Sequence, residues 1–348
     1  MEMIWFWLVS VMFSIYVVMD GFDFGAGILH LVVAKTNEER REVLGAIGPF
    51  WDGNEVWLLA GGGSLFLAFP KVLASGFSGF YLAIWLLVWC LMLRGISIEF
   101  RSHVRDGLWR HFWDGTFALS SLLLPVLFGA ALGNVLRGVP LDASGYFSVP
   151  LWTTFRLGPQ PGVLDWYTVL VALFTLVTVT AHGAVFLAWK TEGRVHERCR
   201  SLAWPLWSLV LVFWLAATAA TSLVNPGIFR GLATAPLAWA FTVLFFVGLG
   251  LVFFGLRKHR YLAAFLGSGA FILGILAASA ASLYPVMLKS TLGPAFDLTA
   301  LNASVGGHSL RTGLVWWLIG FPLAMGYAGF LFRFHRGKVK AAAEGEGY

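Results

Sequence analysis

Asp20, Asp23, Asp52 and Glu55 lie inside two apolar runs long enough to cross a membrane, and Glu99 closes a third. A carboxyl at membrane depth is costly, so it normally faces a protein interior or a water-filled path and works there. Asp20 and Asp23 are three residues apart, as are Asp52 and Glu55, so each pair shares one face of a helix. Three kinds of chemistry suit such a set. The groups could store and pass protons, pair with charge on a second subunit, or hold a hard cation through oxygen ligands. No ligand loop accompanies them, which weakens the cation reading. The cations available within the spans are few: Arg94, with His30 and His182 as further candidates. No acidic residue is expected inside any apolar run after Glu99, so the chemistry is placed in the first third of the chain.

The elements that must carry these groups are membrane helices. Hydrophobic residues make up 58% of the 348 and charged residues 12%, with a mean hydropathy of +0.77. Soluble domains carry about 25% charge, which excludes a soluble fold. Seventeen Trp, 31 Phe and 40 Gly suit an all-α bundle with aromatic belts and close helix contacts. Nine runs reach spanning length: 3–34, 45–70, 73–100, 115–136, 167–189, 201–224, 237–256, 261–284 and 312–332. They form one polytopic domain over 1–348. Spans one to four occupy 1–136, an outer loop 137–166, spans five to nine 167–332, and a tail 333–348. The first run exceeds a bilayer core, and Gly21, Gly25 and Gly27 offer places for it to kink. Residues 137–166 and 285–311 are rich in Pro, Gly and Ser and read as irregular caps.

Loop charge orients the bundle. The loops after spans one, three, five and seven, with the tail, hold 17 of the 24 Lys and Arg. The positive-inside rule then puts the N-terminus outside and the C-terminus in the cytoplasm, as nine spans require. The start, Met1-Glu2-Met3-Ile4-Trp5, lacks the basic region of a signal peptide. The net charge of +6 follows from the basic loops and does not point to nucleic acid. Cys90 and Cys199 form no metal-ligand spacing. Along straight helices Arg94 is roughly 10 Å from the basic loops, Asp52 about 16 Å and Asp23 about 18 Å, with Glu55 and Asp20 deeper. With Glu99 at the surface, the set is a ladder of titratable groups.

Other polar features have structural readings. His30 and His182 could together ligate haem, but a single His on a helix face is more often a hydrogen-bonded packing residue. Gly61-Gly62-Gly63 lacks the following Lys-Ser/Thr of a phosphate loop and reads as close helix packing. Trp152, Trp166, Trp204, Trp239 and Trp316 sit at span ends as interface anchors. Gly25-Ala26 before Lys35-Thr36 is echoed by Gly183-Ala184 before Lys190-Thr191, a hint of two related bundles.

Several segments resemble one known family. Met19-Asp20-Gly21-Phe22-Asp23-Phe24-Gly25-Ala26-Gly27 and Gly48-Pro49-Phe50-Trp51-Asp52-Gly53-Asn54-Glu55-Val56-Trp57 are similar to the hallmark sequences of subunit II of cytochrome bd-type quinol oxidases. Arg94–Arg101, Leu132-Gly133-Asn134 before Gly138-Val139-Pro140, and Lys190-Thr191-Glu192-Gly193 match the family too. The resemblance implies a subunit without haem, or any other cofactor of its own, that is not catalytic alone. Its partner would be a larger subunit bearing two haems b and haem d, which oxidises quinol and reduces dioxygen to water with protons from the cytoplasm. A small single-span subunit and a structural quinone belong to the same pattern, and the location implied is a bacterial or archaeal cytoplasmic membrane. Asp23 and Asp52 fall where the family places carboxylates of a proton path near the subunit interface. Asp20, Glu55 and Glu99 extend that path, and Trp51, Asn54, Arg94 and Arg101 support it. Glu55 stands where the family often has Gln. The rival reading is a proton- or cation-coupled transporter, which would also place carboxylates near the midplane. Acidic groups confined to one half of the chain weigh against it.

Overall fold

The computed structural model describes residues 1–339; Lys340 and the rest of the expected tail lie outside the described residues. Twelve α-helices fill the described chain: α1 Glu2–Val33, α2 Asn37–Ile47, α3 Trp51–Ala68, α4 Pro70–Gly79, α5 Tyr81–Phe100, α6 Gly107–Arg137, α7 Trp166–Lys190, α8 Gly193–Val224, α9 Gly227–Thr234, α10 Pro236–Arg257, α11 Tyr261–Leu283 and α12 Gly307–Phe334. Eight of them are long and apolar enough to cross a membrane. The α3–α4 pair, bent by 117°, makes nine if it is counted as one span.

Two expected spans are built differently. Pro49 and Pro70 lack the N–H that would continue a helix, and each sits at a break. The run 45–70 is therefore interrupted at Gly48-Pro49-Phe50, with polar α2 before it and α3 after it. The run 73–100 divides at Phe80 into α4, which starts on Pro70, and α5. Local capping sets other boundaries. Thr36 and Glu39 form a capping box on α2, Asp106 accepts from Trp109 N–H at the start of α6, and Asp165 and Thr168 box α7.

Helices α1 and α7 sit side by side at the centre, with α3 and α6 packed on the first and α8 and α11 on the second, while α5 packs on α6 and α10 on α11. They cross where Gly25 meets Gly183, so the two echoed motifs are the contact point between the halves. A Cβ on Gly25 would run into the Val179 carbonyl oxygen and would come within 2.7 Å of Gly183 Cα. The glycines of α1 thus serve packing, and the 32-residue helix is unbroken. In the Gly61–Gly63 triplet only Gly61 packs closely, against the Phe13 ring; Gly62 and Gly63 face open space. An aromatic core of Phe22, Phe50, Phe186, Phe265 and Phe332 fills the space beside the crossing; Phe22 stacks on Phe186 at 4.1 Å and Phe50 on Phe332 at 4.6 Å.

The loops gather at two ends. At the basic end Lys190 Nζ donates to the His335 carbonyl at 2.5 Å, Lys338 Nζ to the Thr191 carbonyl at 2.8 Å and the Glu192 N–H to Glu42 Oε1 at 3.0 Å. At the other end Arg137 bonds Asp165 and Asn134, and Val139 N–H donates to Lys289 O at 2.9 Å, tying the two long loops together. Strands β1 Val286–Leu288 and β2 Leu298–Thr299 pair antiparallel there, a small regular piece in an expected irregular cap. The Leu132-Gly133-Asn134 motif has a structural task in that cap: Asn134 Nδ2 donates to Ala130 O and Val163 O, each at 2.8 Å.

Candidate functional site

Arg94, on the inner face of α5, is fully buried and divides its guanidinium between two helices. Nη1 donates to Asp20 Oδ1 on α1 at 2.6 Å, and Nη2 donates to Glu55 Oε1 on α3 at 2.5 Å. The Phe24 ring lies 4.7 Å below the guanidinium carbon, a cation–π contact. Trp51, one turn before Glu55, packs on Gly95, which lets α3 and α5 approach. Cations within the spans are few, and this one arginine serves two of the carboxylates.

Asp23 is fully buried and is held by a neutral partner instead. Asn54 Nδ2 donates to Asp23 Oδ2 at 2.8 Å and to Met19 O at 3.1 Å. Asp23 Oδ1, Asp20 Oδ2, Arg94 Nε and the Tyr16 hydroxyl have no protein partner although all are buried. Buried polar atoms of this kind are normally satisfied by water. This corner can therefore hold water and titratable groups in contact, which proton transfer needs.

Asp52 and Glu99 stand apart from this cluster. Asp52 lies in the first turn of α3 on the exposed side, opposite Asn54, and Glu99 is exposed near the end of α5. Glu55 is 26% exposed. Of the four carboxyls read as buried from sequence, only Asp20 and Asp23 are sealed within this chain. The continuous-helix count for Asp52 also fails, because the break at Gly48–Phe50 lies between it and the basic loop. A cavity of about 280 Å³ lies beside Asn54, walled by apolar residues of α3 and α12 such as Trp57, Leu323 and Tyr327.

A further buried carboxyl, Asp114, was missed by the sequence reading. Hydropathy starts span four at Gly115, but α6 begins at Gly107, so Asp114 is inside the helix and only 1% exposed. His30 Nε2 donates to its Oδ1 at 2.6 Å, Arg101 Nε to Oδ1 at 2.6 Å and Arg40 Nη1 to Oδ2 at 2.8 Å. Arg101 also donates to Asn37 Oδ1 at 3.0 Å, so this hub joins α1, α2 and the α5–α6 turn at the basic end. The available signal was an acidic residue one position outside a predicted span, with Arg101 thirteen residues before it. Arg101 therefore belongs to this hub and not to the Arg94 cluster. Nearby, Glu39 and Glu42 are shifted in opposite directions. Burial opposes charge on Glu39, yet the Lys35 N–H and the Arg198 guanidinium keep its carboxyl below the usual range, while burial pushes Glu42 up.

His182 bridges helices: one ring nitrogen meets Ser268 Oγ at 2.6 Å and the other Val18 O at 2.9 Å. Its ring stacks on Phe265 at 5.0 Å. His30 and His182 are thus on separate hydrogen-bond networks, and no group of three or more His, Cys, Asp and Glu among the described residues could hold a metal ion.

The family model for cytochrome bd terminal oxidase subunit II matches residues 1–335. The chain is 33% identical over 329 residues to the cytochrome bd ubiquinol oxidase subunit 2 of Bacillus subtilis, covering 93% of this chain and 92% of that one. It is 35% identical over 203 residues to the cytochrome bd-I ubiquinol oxidase subunit 2 of Escherichia coli K12, covering 58% and 52% of the two chains. Among solved structures, the bd oxidase from Geobacillus thermodenitrificans contains a chain of the same fold, with a TM-score of 0.73 at 20% identity over 96% of this chain and 98% of that one.

Proposed function

Because the chain belongs to the cytochrome bd terminal oxidase subunit II family, we propose that it is the haem-free member of that oxidase and carries protons inward along its buried carboxyls. It is a multi-pass membrane subunit of a quinol-oxidising terminal oxidase and works beside a subunit I. Quinol oxidation and dioxygen reduction, with two haems b and haem d, are assigned to that partner. The basic end is assigned to the cytoplasm of a bacterial or archaeal cytoplasmic membrane, in line with the positive-inside rule.

The observation that carries the proton reading is Asp23. It is fully buried, bonded by an amide rather than a cation, and its second oxygen has no protein partner. No cation is hydrogen-bonded to this carboxyl to hold it ionised, so it can take up and release a proton in turn. Asp20, tied to Arg94, and Glu55, at the rim, form the inward continuation, and exposed Asp52 marks the face toward the partner. Reduction of dioxygen to water consumes protons, which gives such a path a use. Both ring nitrogens of His182 are hydrogen-bonded, which argues against that residue as a haem ligand.

The test has two parts. A tag on this chain should co-purify a complex with haem b and haem d bands, whereas the chain expressed alone should carry no stoichiometric haem. Asp23→Asn should then keep assembly and haem content but lose most oxygen consumption with quinol, since an amide bonds but does not donate a labile proton onward. A haem-loaded single chain sinks the haem assignment, and wild-type turnover in Asp23→Asn sinks the proton path.

A further inference from the structure

Tyr16, Asp20, Asp23, Gly27 and His30 recur on α1 at alternating spacings of four and three, so they form one stripe along the helix. The stripe joins the Arg94 cluster to the Asp114 hub. At its one gap, Gly27, the missing side chain is replaced from α6: a Cβ there would collide with Cβ and Oγ of Ser121. Ser121 is fully buried and its hydroxyl has no partner. That is unusual within this bundle. Ser14, Ser97, Thr116 and Ser120 each donate to the carbonyl one turn back, at 2.5 to 2.9 Å, and Ser121 does not. Its neighbours along the stripe are also incomplete, Asp23 Oδ1 on one side and His30 Nδ1 on the other, as is Arg101 Nη1 in the hub beyond.

We infer that the Ser121 hydroxyl is a relay in a file of water that joins the His30–Asp114 hub to Asp23, and that this hub is the mouth of the path. The inference rests on the proton-carrying role given to Asp23 above. Asp23 and His30 are seven residues apart, about 10 Å along the axis. Hydrogen-bonded oxygens are about 2.8 Å apart, so the interval takes roughly three groups, of which Ser121 supplies one and water the others. A hydroxyl accepts a proton on its lone pair while giving up its own, so it ends each transfer unchanged and neutral. The hub suits the mouth because Arg40, which is part exposed, reaches the same carboxylate as buried His30 and Arg101. A purely structural Ser121 would have made the bond one turn back that its neighbours make.

The test uses the assembled oxidase. Ser121→Ala removes the hydroxyl, and Ser121→Cys keeps the bulk with a much weaker donor and acceptor. Ser120→Ala, whose hydroxyl is satisfied within its own helix, is the control. Both Ser121 variants should keep full haem content, lose most of their turnover, slow proton uptake measured with an indicator dye after oxygen addition, and show a larger solvent deuterium isotope effect. Ser120→Ala should match wild type in all four. Wild-type rates in Ser121→Ala overturn the inference, as does slow turnover with an unchanged isotope effect, which marks a packing role. If Ser121→Cys does not assemble, Ser121→Ala decides alone. Asp23→Asn measured alongside separates the two levels. If it is inactive while Ser121→Ala is normal, the path stands and its mouth lies elsewhere; if it is active, the path itself falls.

Discussion

Replacing Arg94 by Met removes one cation from between two carboxylates and leaves the rest of the cluster in place. Asp20 is fully buried, so its charge then has no partner. Breaking a buried pair from one side costs about 3–5 kcal/mol. The chain can escape by protonating Asp20, and from a reference value near 3.9 that costs about 4 kcal/mol at pH 7, which bounds the penalty at a similar size. Glu55 adds less than about 1 kcal/mol because solvent reaches it. Loss of the Phe24 contact adds up to about 2 kcal/mol. Arg94→Met should therefore lower the yield of haem-loaded complex and its half-life at elevated temperature. Adding Asp20→Asn and Glu55→Gln removes the stranded charges, and neutral replacement of a whole buried ion set is close to neutral in cost. The triple variant should thus assemble better than the single. Both are measured in detergent as complex yield, haem-to-protein ratio and thermal half-life. A single variant as stable as wild type, or a triple no better than the single, refutes the electrostatic account of this cluster.

Gly25→Ala should cost about 1–3 kcal/mol or more and reduce assembled complex, because its methyl meets backbone of α7, whereas Gly62→Ala should assemble normally; quantifying purified complex checks both. Asp52→Asn should leave assembly and haem spectrum intact and slow quinol-driven oxygen uptake, with Asp52→Glu retaining part of the rate; an unchanged rate in Asp52→Asn would return Asp52 to a surface role. Glu39 has a lowered folded value, so the stability it gives α2 is present above the unfolded value near 4.3 and is lost as pH falls through the folded one. Amide protection factors in Asn37–Ile47, taken against the intrinsic exchange rate at each pH, should fall on acidification, and Glu39→Gln should abolish that dependence at a cost of about 1 kcal/mol.

The apolar runs revealed most of the helices because burial in lipid needs long uninterrupted hydropathy, a property of each segment alone. The i,i+3 pairs also located α1 and α3 as the carriers of the carboxyls. What hydropathy could not resolve were departures from a straight helix and pairings between helices. The break before Trp51 and the start of α4 both lie at prolines, a local signal that the averaging of apolar content hides. Asp114 escaped for a related reason: hydropathy places a helix end where polarity rises, but α6 runs two turns past that point because the Asp106 cap holds it there. That Arg94 would divide itself between Asp20 and Glu55, leaving Asp23 to an amide, depends on three helices meeting. No single segment contains that information.

The contact of Gly25 with Gly183 has a mechanical consequence. With main chain resting on main chain, α1 has no side chain there that could change rotamer to absorb a shift. A twist or slide of α1 must be passed to α7, and through His182, which bonds Val18 of α1 and Ser268 of α11, to α11 as well. Tyr16, Asp20, Asp23 and His30 are consequently carried on a frame that moves with the second half of the protein as one piece. Adjustment during turnover is then confined to the lighter wall, where α12 rests on α3 across the cavity beside Asn54. Any widening of that wall loosens the amide that holds Asp23 while leaving the line of carboxyls straight.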